Sequence, residues 1–263
     1  MMRRQENGGA KIIMMKFKTF LESVLFYLSA PKCVCFKKRL DRLNFALCDE
    51  CLKEYNNIKN RTCSVCFKRL DSCSCVNHHL NTHYVKGLAK IFRYKQDGNV
   101  PSNRLIYSLK RDNRRDVLKF VTDELETSIR NSYKNIEDFV FTNVPRRKSS
   151  VIEYGIDHAA LLSKSLAKRF SATYYQPIIS KSKEQQKKTS GEERMKNAMF
   201  RLKKNAQELK GKTVIIIDDV VTTGASMGAC AMLLKGLGAK KILGASIAIA
   251  FKDEYTPFEY TKY

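Results

Sequence analysis

The stretch Thr213 to Ser226, TVIIIDDVVTTGAS, constrains the fold of this chain more than any other. Val214, Ile215, Ile216 and Ile217 are four consecutive large apolar residues, where a strand with one wet face would alternate apolar with polar. Such a run predicts a strand buried on both faces, the usual lot of a central strand in a parallel sheet covered by helices. It stops at two carboxylates, Asp218 and Asp219. Thr222, Thr223, Gly224, Ala225 and Ser226 follow and lead into a helical pattern, GASMGACAMLLKGLGA. Ligands of parallel sheets bind beyond the carboxyl ends of the strands. Backbone N–H groups at the start of a helix suit a phosphate there. Gly224 lets the backbone approach an anion, and the hydroxyls of Thr222, Thr223 and Ser226 add donors. Acids next to such a loop predict vicinal hydroxyls bound beside a phosphate, which describes a sugar phosphate.

The second strong signal is cysteine spacing. Eight of the nine cysteines, Cys33, Cys35, Cys48, Cys51, Cys63, Cys66, Cys73 and Cys75, form the close pairs CVC, CDEC, CSVC and CSC. Each pair can aim two thiolates at one ion, so two four-thiolate zinc sites are expected, with a single site as the alternative. His78, His79 and His83 are candidate substitutes, but eight cysteines already suffice. A disulfide framework would call for a secretory leader, and the apolar stretch near the N-terminus is broken by Lys16, Lys18 and Glu22. The same charges argue against a membrane span. A reducing cytoplasm is the expected location.

The remaining pattern divides the chain into a tail (1–15, with Met14 or Met15 as an alternative start), a helix plus cysteine module (16–80) and a larger domain (81–263). Phe17, Phe20, Leu21, Val24, Leu25 and Leu28 predict an amphipathic helix over 16–29. From THYVKGLAKIFRY onward, strands alternate with helices. Helical patterns lie near 103–111, 114–132 and 157–170, and apolar strand patterns at DFVFTNVP, TVIIID and KKILGASIAIA, which predicts an α/β domain with a parallel, doubly covered sheet. His158 reads as a helix-face residue near a substrate, and Cys230 as core.

Lys and Arg number 49 against 26 Asp and Glu, a formal charge of +23. A polyanionic partner is the natural expectation; a solvated Lys-rich surface is the alternative. Lys187 and Lys188, in a basic segment at 181–204, together with Phe92, Tyr94 and Tyr107 set among basic residues, are the candidate contacts for single-stranded DNA.

IIIDDVVTTGAS resembles the phosphoribosyl pyrophosphate signature of type I phosphoribosyltransferases. That resemblance implies that Asp218 and Asp219 hold the ribose hydroxyls, directly or through Mg²⁺, and that Thr222, Thr223, Gly224, Ala225 and Ser226 hold the 5′-phosphate. Purine-type members carry an aspartate general base where this chain has Thr222. With paired cysteines ahead of it, the whole is similar to the ComF family of DNA-uptake proteins: a phosphoribosyltransferase domain behind a double zinc ribbon. LIYSLKRDNRRDV, NVPRRK, YGIDHAALLSKSLA and QKKTSGEERMKNAMF resemble further family segments, with Tyr154, Asp157 and His158 departing from the family pattern. The position of NVPRRK implies pyrophosphate contact by Arg146 and Arg147. The resemblance implies zinc and Mg²⁺ as cofactors, phosphoribosyl pyrophosphate as ligand, and handling of incoming single-stranded DNA alongside a competence helicase or recombination proteins. Two other readings stand beside it: a housekeeping transferase acting on a base or other small acceptor, and a nucleic-acid adaptor without chemistry. No residue is singled out as catalytic.

Overall fold

The computed structural model describes residues 31–40, 45–94, 98–134, 138–146, 155–181 and 200–250. The helix expected at 16–29, the tail before it, and Arg147, Tyr154, Lys187 and Lys188 lie outside the described residues.

A cysteine-bearing turn leads to α1 (Asp49–Lys59). Its first turn is acidic and its last turn carries Lys59, as the helix dipole favours, and it buries Cys51, Tyr55 and Ile58 along one stripe. A second such turn and the 3₁₀ turn Leu70–Ser72 precede α2 (His78–Thr82) and β1 (Val85–Arg93). Then come α3 (Pro101–Asp112), α4 (Arg115–Ser132), β2 (Phe139–Asn143), α5 (His158–Arg169), β3 (Thr173–Tyr174), β4 (Ile178–Ser180), β5 (Phe200–Leu202), β6 (Thr213–Val221), α6 (Ala225–Gly236) and β7 (Lys241–Ile249). Pro101 opens α3 at the position where its missing N–H costs nothing. The buried face of α4 repeats at four-residue steps, Val117, Val121, Leu125 and Ile129.

The main sheet has the order β1-β7-β6-β2-β3 with every pair parallel; β4 and β5 form a separate antiparallel pair. Alternation along β6 builds two cores. Ile215 and Ile217 join the cluster of α1, α3, α4 and α5, while Val214 and Ile216 join that of α2 and α6. Both faces are therefore apolar, as the run at 214–217 predicts.

Two observations differ from the sequence reading. β6 continues to Val221 rather than ending near Asp218, because its ladder with β7 runs on through Asp218↔Ser246, Val220↔Ala248 and Val221↔Ile249. On the other side β2 ends at Asn143, opposite Ile217. The acid pair thus sits on a strand paired along one edge and open along the other, which gives the site its cleft. Phe92 is only 1% exposed and meets the Tyr55 ring edge-on at 6.0 Å, so it belongs to the core and is no exposed stacking surface.

Candidate functional site

Parallel register brings the functional groups together. Val144 N–H donates to Ile217 O (3.0 Å) as the chain leaves β2, so Arg146 arrives beside the end of β6. Its Nη2 donates to Asp219 Oδ2 at 2.8 Å. Lys110 reaches the same oxygen from α3 at 3.0 Å; the sequence reading used this lysine only as part of a resemblance and not as a site residue. Burial works against the charge of Asp219, but Lys110 and Arg146 outweigh it and hold its carboxyl below the ordinary range. Asp218 is treated differently: burial, with the neighbouring Asp219 charge adding to it, pushes its carboxyl well above that range. Its Oδ1 accepts from Asp219 N at 2.9 Å. Asp157 caps α5 by accepting from Ala160 N (3.0 Å), and its other oxygen lies 3.5 Å from Arg146 N, which steadies the loop bearing the arginine. His158 is buried rather than on an open helix face; its Nε2 lies 2.8 Å from Asn113 Oδ1, and burial followed by Arg146 lowers its pKa.

After Val221 the chain turns through exposed Thr222 and Thr223 to Gly224, which caps α6 with φ 86°, a left-handed conformation that disfavours any side chain. Gly224 is also closed in: a Cβ there would meet Leu80 Cγ at 2.7 Å. The loop is braced by α2, since Asn77 Nδ2 donates to Thr223 O at 2.9 Å across 146 residues of sequence. One turn further along α6, a Cβ on Gly228 would lie 3.1 Å from His83 Cβ. His79 and His83 stack on each other, ring centroids 4.1 Å apart, on this face; the thiol groups below contain cysteines only. Cys230 is fully buried within α6, as expected of core. Beside the acids, a cavity of about 550 Å³ is lined by Tyr94, Asn103, Arg104, Tyr107, Lys110 and Thr222. Tyr94 and Tyr107 are exposed at its wall.

The cysteines assemble in chain order. The sulfurs of Cys63, Cys66, Cys73 and Cys75 lie within 4.8 Å of one another, a set of four that could hold a metal ion. Cys33, Cys48 and Cys51 form a second such group. The Cys35 thiol interacts with those of Cys51 and Cys33 but stands outside the mutual group. At Cys73, a hydrogen bond from the Cys75 thiol, opposed by burial and aided by the Lys90 ammonium, holds the pKa down to about 4. Lys90 is fully buried in β1 and donates from Nζ to Cys75 O at 2.6 Å. The sequence signal for it was only a lysine inside an apolar strand.

Residues 155–261 match the phosphoribosyl transferase domain family. Over 52 residues the chain is 40% identical to the adenine phosphoribosyltransferase of Mycobacterium marinum (strain ATCC BAA-535 / M); that match covers 20% of this chain and spans 28% of the relative's length. Solved structures with similarity include adenine phosphoribosyltransferase from Saccharomyces cerevisiae (18% identity, 59% of this chain and 75% of that one, TM-score 0.37). Another is the purine phosphoribosyltransferase from Pyrococcus horikoshii Ot3 (21% identity, 50% and 73%, TM-score 0.34). The match to the phosphoribosyl transferase domain thus falls on the parallel α/β sheet that ends at the acid pair, and cysteine clusters able to take metal precede it. Among the described residues no helix is long and apolar enough to cross a membrane.

Proposed function

We propose that the domain binds phosphoribosyl pyrophosphate with Mg²⁺ and that the cysteine clusters hold zinc. The observation that carries the first reading is the convergence at one strand end of Asp218, Asp219, the glycine-led loop Thr222–Ser226 and Arg146. The loop N–H groups and the start of α6 receive the 5′-phosphate. Asp218 and Asp219 receive the ribose hydroxyls, and the donor set of two adjacent carboxylates suits Mg²⁺, which would supply charge neutralisation of the pyrophosphate. Arg146 and Lys110, now on Asp219, exchange one carboxylate for phosphoryl oxygens when the ligand arrives. Should transfer follow, these cations stabilise the charge on the departing pyrophosphate while the carboxylates fix the ribose. Calorimetry tests this directly: Mg²⁺-dependent binding in the wild type and none in Asp218→Ala with Asp219→Ala, whose sheet stays folded. Equal affinity in the double variant removes the assignment.

The finer reading is a role in natural competence, in which the chain handles incoming single-stranded DNA in the cytoplasm beside helicase or recombination partners. It is supported by the +23 charge, by the resemblance of the paired cysteines and the segment IIIDDVVTTGAS to the ComF pattern, and by exposed Tyr94 and Tyr107 beside the basic residues Arg104 and Lys110. Binding should be tolerant of sequence, with a log–log salt slope of about 0.7 per phosphate contacted. Filter binding that finds no complex with a 30-mer oligonucleotide at micromolar protein ends it. The housekeeping transferase then takes its place, favoured by the similarity to a relative named adenine phosphoribosyltransferase and by a cavity adjoining the acids that could admit an acceptor.

A further inference from the structure

The second thiolate cluster and the phosphate loop are joined by very little chain. Cys75 is two residues before Asn77, and every step between them is tied down. Ser74 O accepts from Leu88 N (3.0 Å) and Cys75 O from Lys90 Nζ (2.6 Å), which fastens the cysteine turn to β1. Val76 is fully buried in the core that also contains Leu80, Val221 and Met227. Asn77 then uses both ends of its amide. Its Oδ1 caps α2 by accepting from Leu80 N (2.9 Å), and its Nδ2 donates to Thr223 O (2.9 Å). Leu80, also fully buried, packs onto Gly224 so closely that no side chain would fit there.

The donation to Thr223 O has a consequence for anion binding. In a trans peptide the C=O and the next N–H point in opposite directions. Holding the Thr223 carbonyl toward α2 therefore turns the Gly224 N–H to the other side, away from α2. Leu80 blocks the loop from relaxing into the space a side chain would fill. The loop is aimed from outside, by a segment whose far end is a metal-ligand pair.

We propose that Asn77 and Leu80 are positioning residues for the phosphate loop, and that a metal ion at Cys63, Cys66, Cys73 and Cys75 sets their position. Anion binding at Thr222–Ser226 then depends on an ion that does not touch the anion. This rests on the reading of that loop as a phosphate site. With the four sulfurs drawn onto one ion, the Cys73–Cys75 turn has a fixed place, and Val76 and Asn77 inherit it. Without the ion, the four thiols are held to one another by weak sulfur hydrogen bonds such as Cys66 Sγ to Cys73 Sγ at 3.5 Å, and the turn relies on its bonds to Lys90, Leu88, Ser132 and Leu70.

The test uses the full metal-loaded chain and Mg²⁺–phosphoribosyl pyrophosphate, with ribose 5-phosphate as a probe of the phosphate end alone. Asn77→Ser keeps a capping oxygen for α2 but is too short to reach Thr223 O. It should weaken binding of both probes about tenfold, the order of one lost hydrogen bond, while the melting temperature falls by no more than about 2–4 °C. Its Gly224 amide resonance should move even without ligand, which a cap-only role would not cause. Removing the second-site metal with a chelator should weaken both probes at least as much, with the sheet intact by circular dichroism. Leu80→Ala removes the brace on Gly224 and should weaken binding too; should the chelated chain unfold, Cys66→Ser, which leaves three of the four thiols, takes over the metal arm. Wild-type binding that persists unchanged in Asn77→Ser, in Leu80→Ala and in the folded metal-free chain overturns the proposal and leaves the phosphate site standing. Weakening in the variants but not on metal removal overturns the metal half. A wild type that binds neither probe overturns the phosphate-site reading and this proposal with it.

Discussion

Lys32–Leu40 and Thr62–Leu70 lie thirty residues apart and fold alike, yet only one of them contributes two thiols to a mutual cluster. In each, the first cysteine N–H donates to the carbonyl five residues on, Cys33 to Lys38 and Cys63 to Lys68, both at 2.8 Å. In each, the cysteine carbonyl accepts from the residue four on, Lys37 or Phe67, both at 3.0 Å, and that residue is left-handed, φ 57° or 56°. An antiparallel bridge closes each turn, Lys32↔Arg39 and Thr62↔Arg69, and a buried leucine, Leu40 or Leu70, ends it. The contents differ by one place. Cys63-Ser64-Val65-Cys66 faces Cys33-Val34-Cys35-Phe36, so Phe36, 64% exposed, stands where the first turn would need its second thiol. The same backbone loop brings two thiols or one into a mutual group of this size according to the placement of a single cysteine.

The largest consequence should appear on removing a thiol from the complete cluster. Cys73→Ser or Cys66→Ser should lose one metal ion per chain by native mass spectrometry and lower the melting temperature by about 10 °C or more, the equivalent of several kcal/mol in a chain of this size. Cys35→Ser should cost no metal and shift melting by at most a few degrees. Equal effects of Cys66→Ser and Cys35→Ser would break the comparison, because both turns would then present two ligands.

Next in size is Lys90→Met. Four thiolates around a divalent ion would carry a net charge of −2, and the buried Lys90 ammonium would then be the counter-charge on the side of Cys75. Outer partners of metal ligands are typically worth about 10–100-fold in affinity. A chelator titration should show this loss at the second cluster and none at the first, since the Lys90 ammonium is fastened to Cys75 O of the second.

Repair of the first turn is a smaller and constructive test. Cys35→Val with Phe36→Cys gives the first turn the spacing of the second, and it should slow metal loss to chelator and raise melting by about 2–4 °C, a gain of roughly 1 kcal/mol. No change would mean that Cys48 and Cys51 on α1, rather than the turn, limit that cluster.

The legibility of the sequence follows the same division between local and tertiary causes. The run Val214–Ile217 announced its burial because a strand covered on both faces must be apolar at every position. The placement of the acids and the Thr/Gly loop together at one strand end was legible because a buried apolar run must stop where the strand meets the loop. Asn77 was invisible because its partner is 146 residues away, and Lys90 because a lysine in a strand reads as a solvated edge until its carbonyl acceptor is known. Phe92 looked like a stacking surface among basic neighbours, but strand alternation turned it toward Tyr55. The cysteine pairs were legible as groups that could gather at an ion, while the one-residue slip at Cys35 needed the backbone equivalence of the two turns.

An effect of the same small size belongs to the acid pair and carries the comparison from thiolates to carboxylates. The thiolates of the second cluster have Lys90 beside them, and Asp219 has Lys110 and Arg146 within 3.0 Å. Asp218 is the group for which burial and the Asp219 charge prevail, so its folded pKa lies well above the unfolded value. The sign follows by linkage. A carboxyl whose folded pKa is raised favours folding while protonated, and this contribution is fully present below the unfolded pKa, near 4, and lost as pH rises through the raised folded value. At neutral pH without Mg²⁺, Asp218 therefore costs stability. Asp218→Asn retains an oxygen to accept from Asp219 N and removes the charge, so it should raise the melting temperature of the metal-free chain at pH 7 by about 2–4 °C, on the order of 1 kcal/mol. The gain should shrink as the pH is lowered toward 4, where the wild-type carboxyl is itself neutral. The same variant should lose Mg²⁺-dependent binding of phosphoribosyl pyrophosphate, the usual exchange of stability for a charged ligand site. Melting curves at pH 7 and pH 4.5 decide the matter: a variant less stable than wild type at pH 7 would show that Asp218 has a compensating partner and that the two acids of the pair are alike.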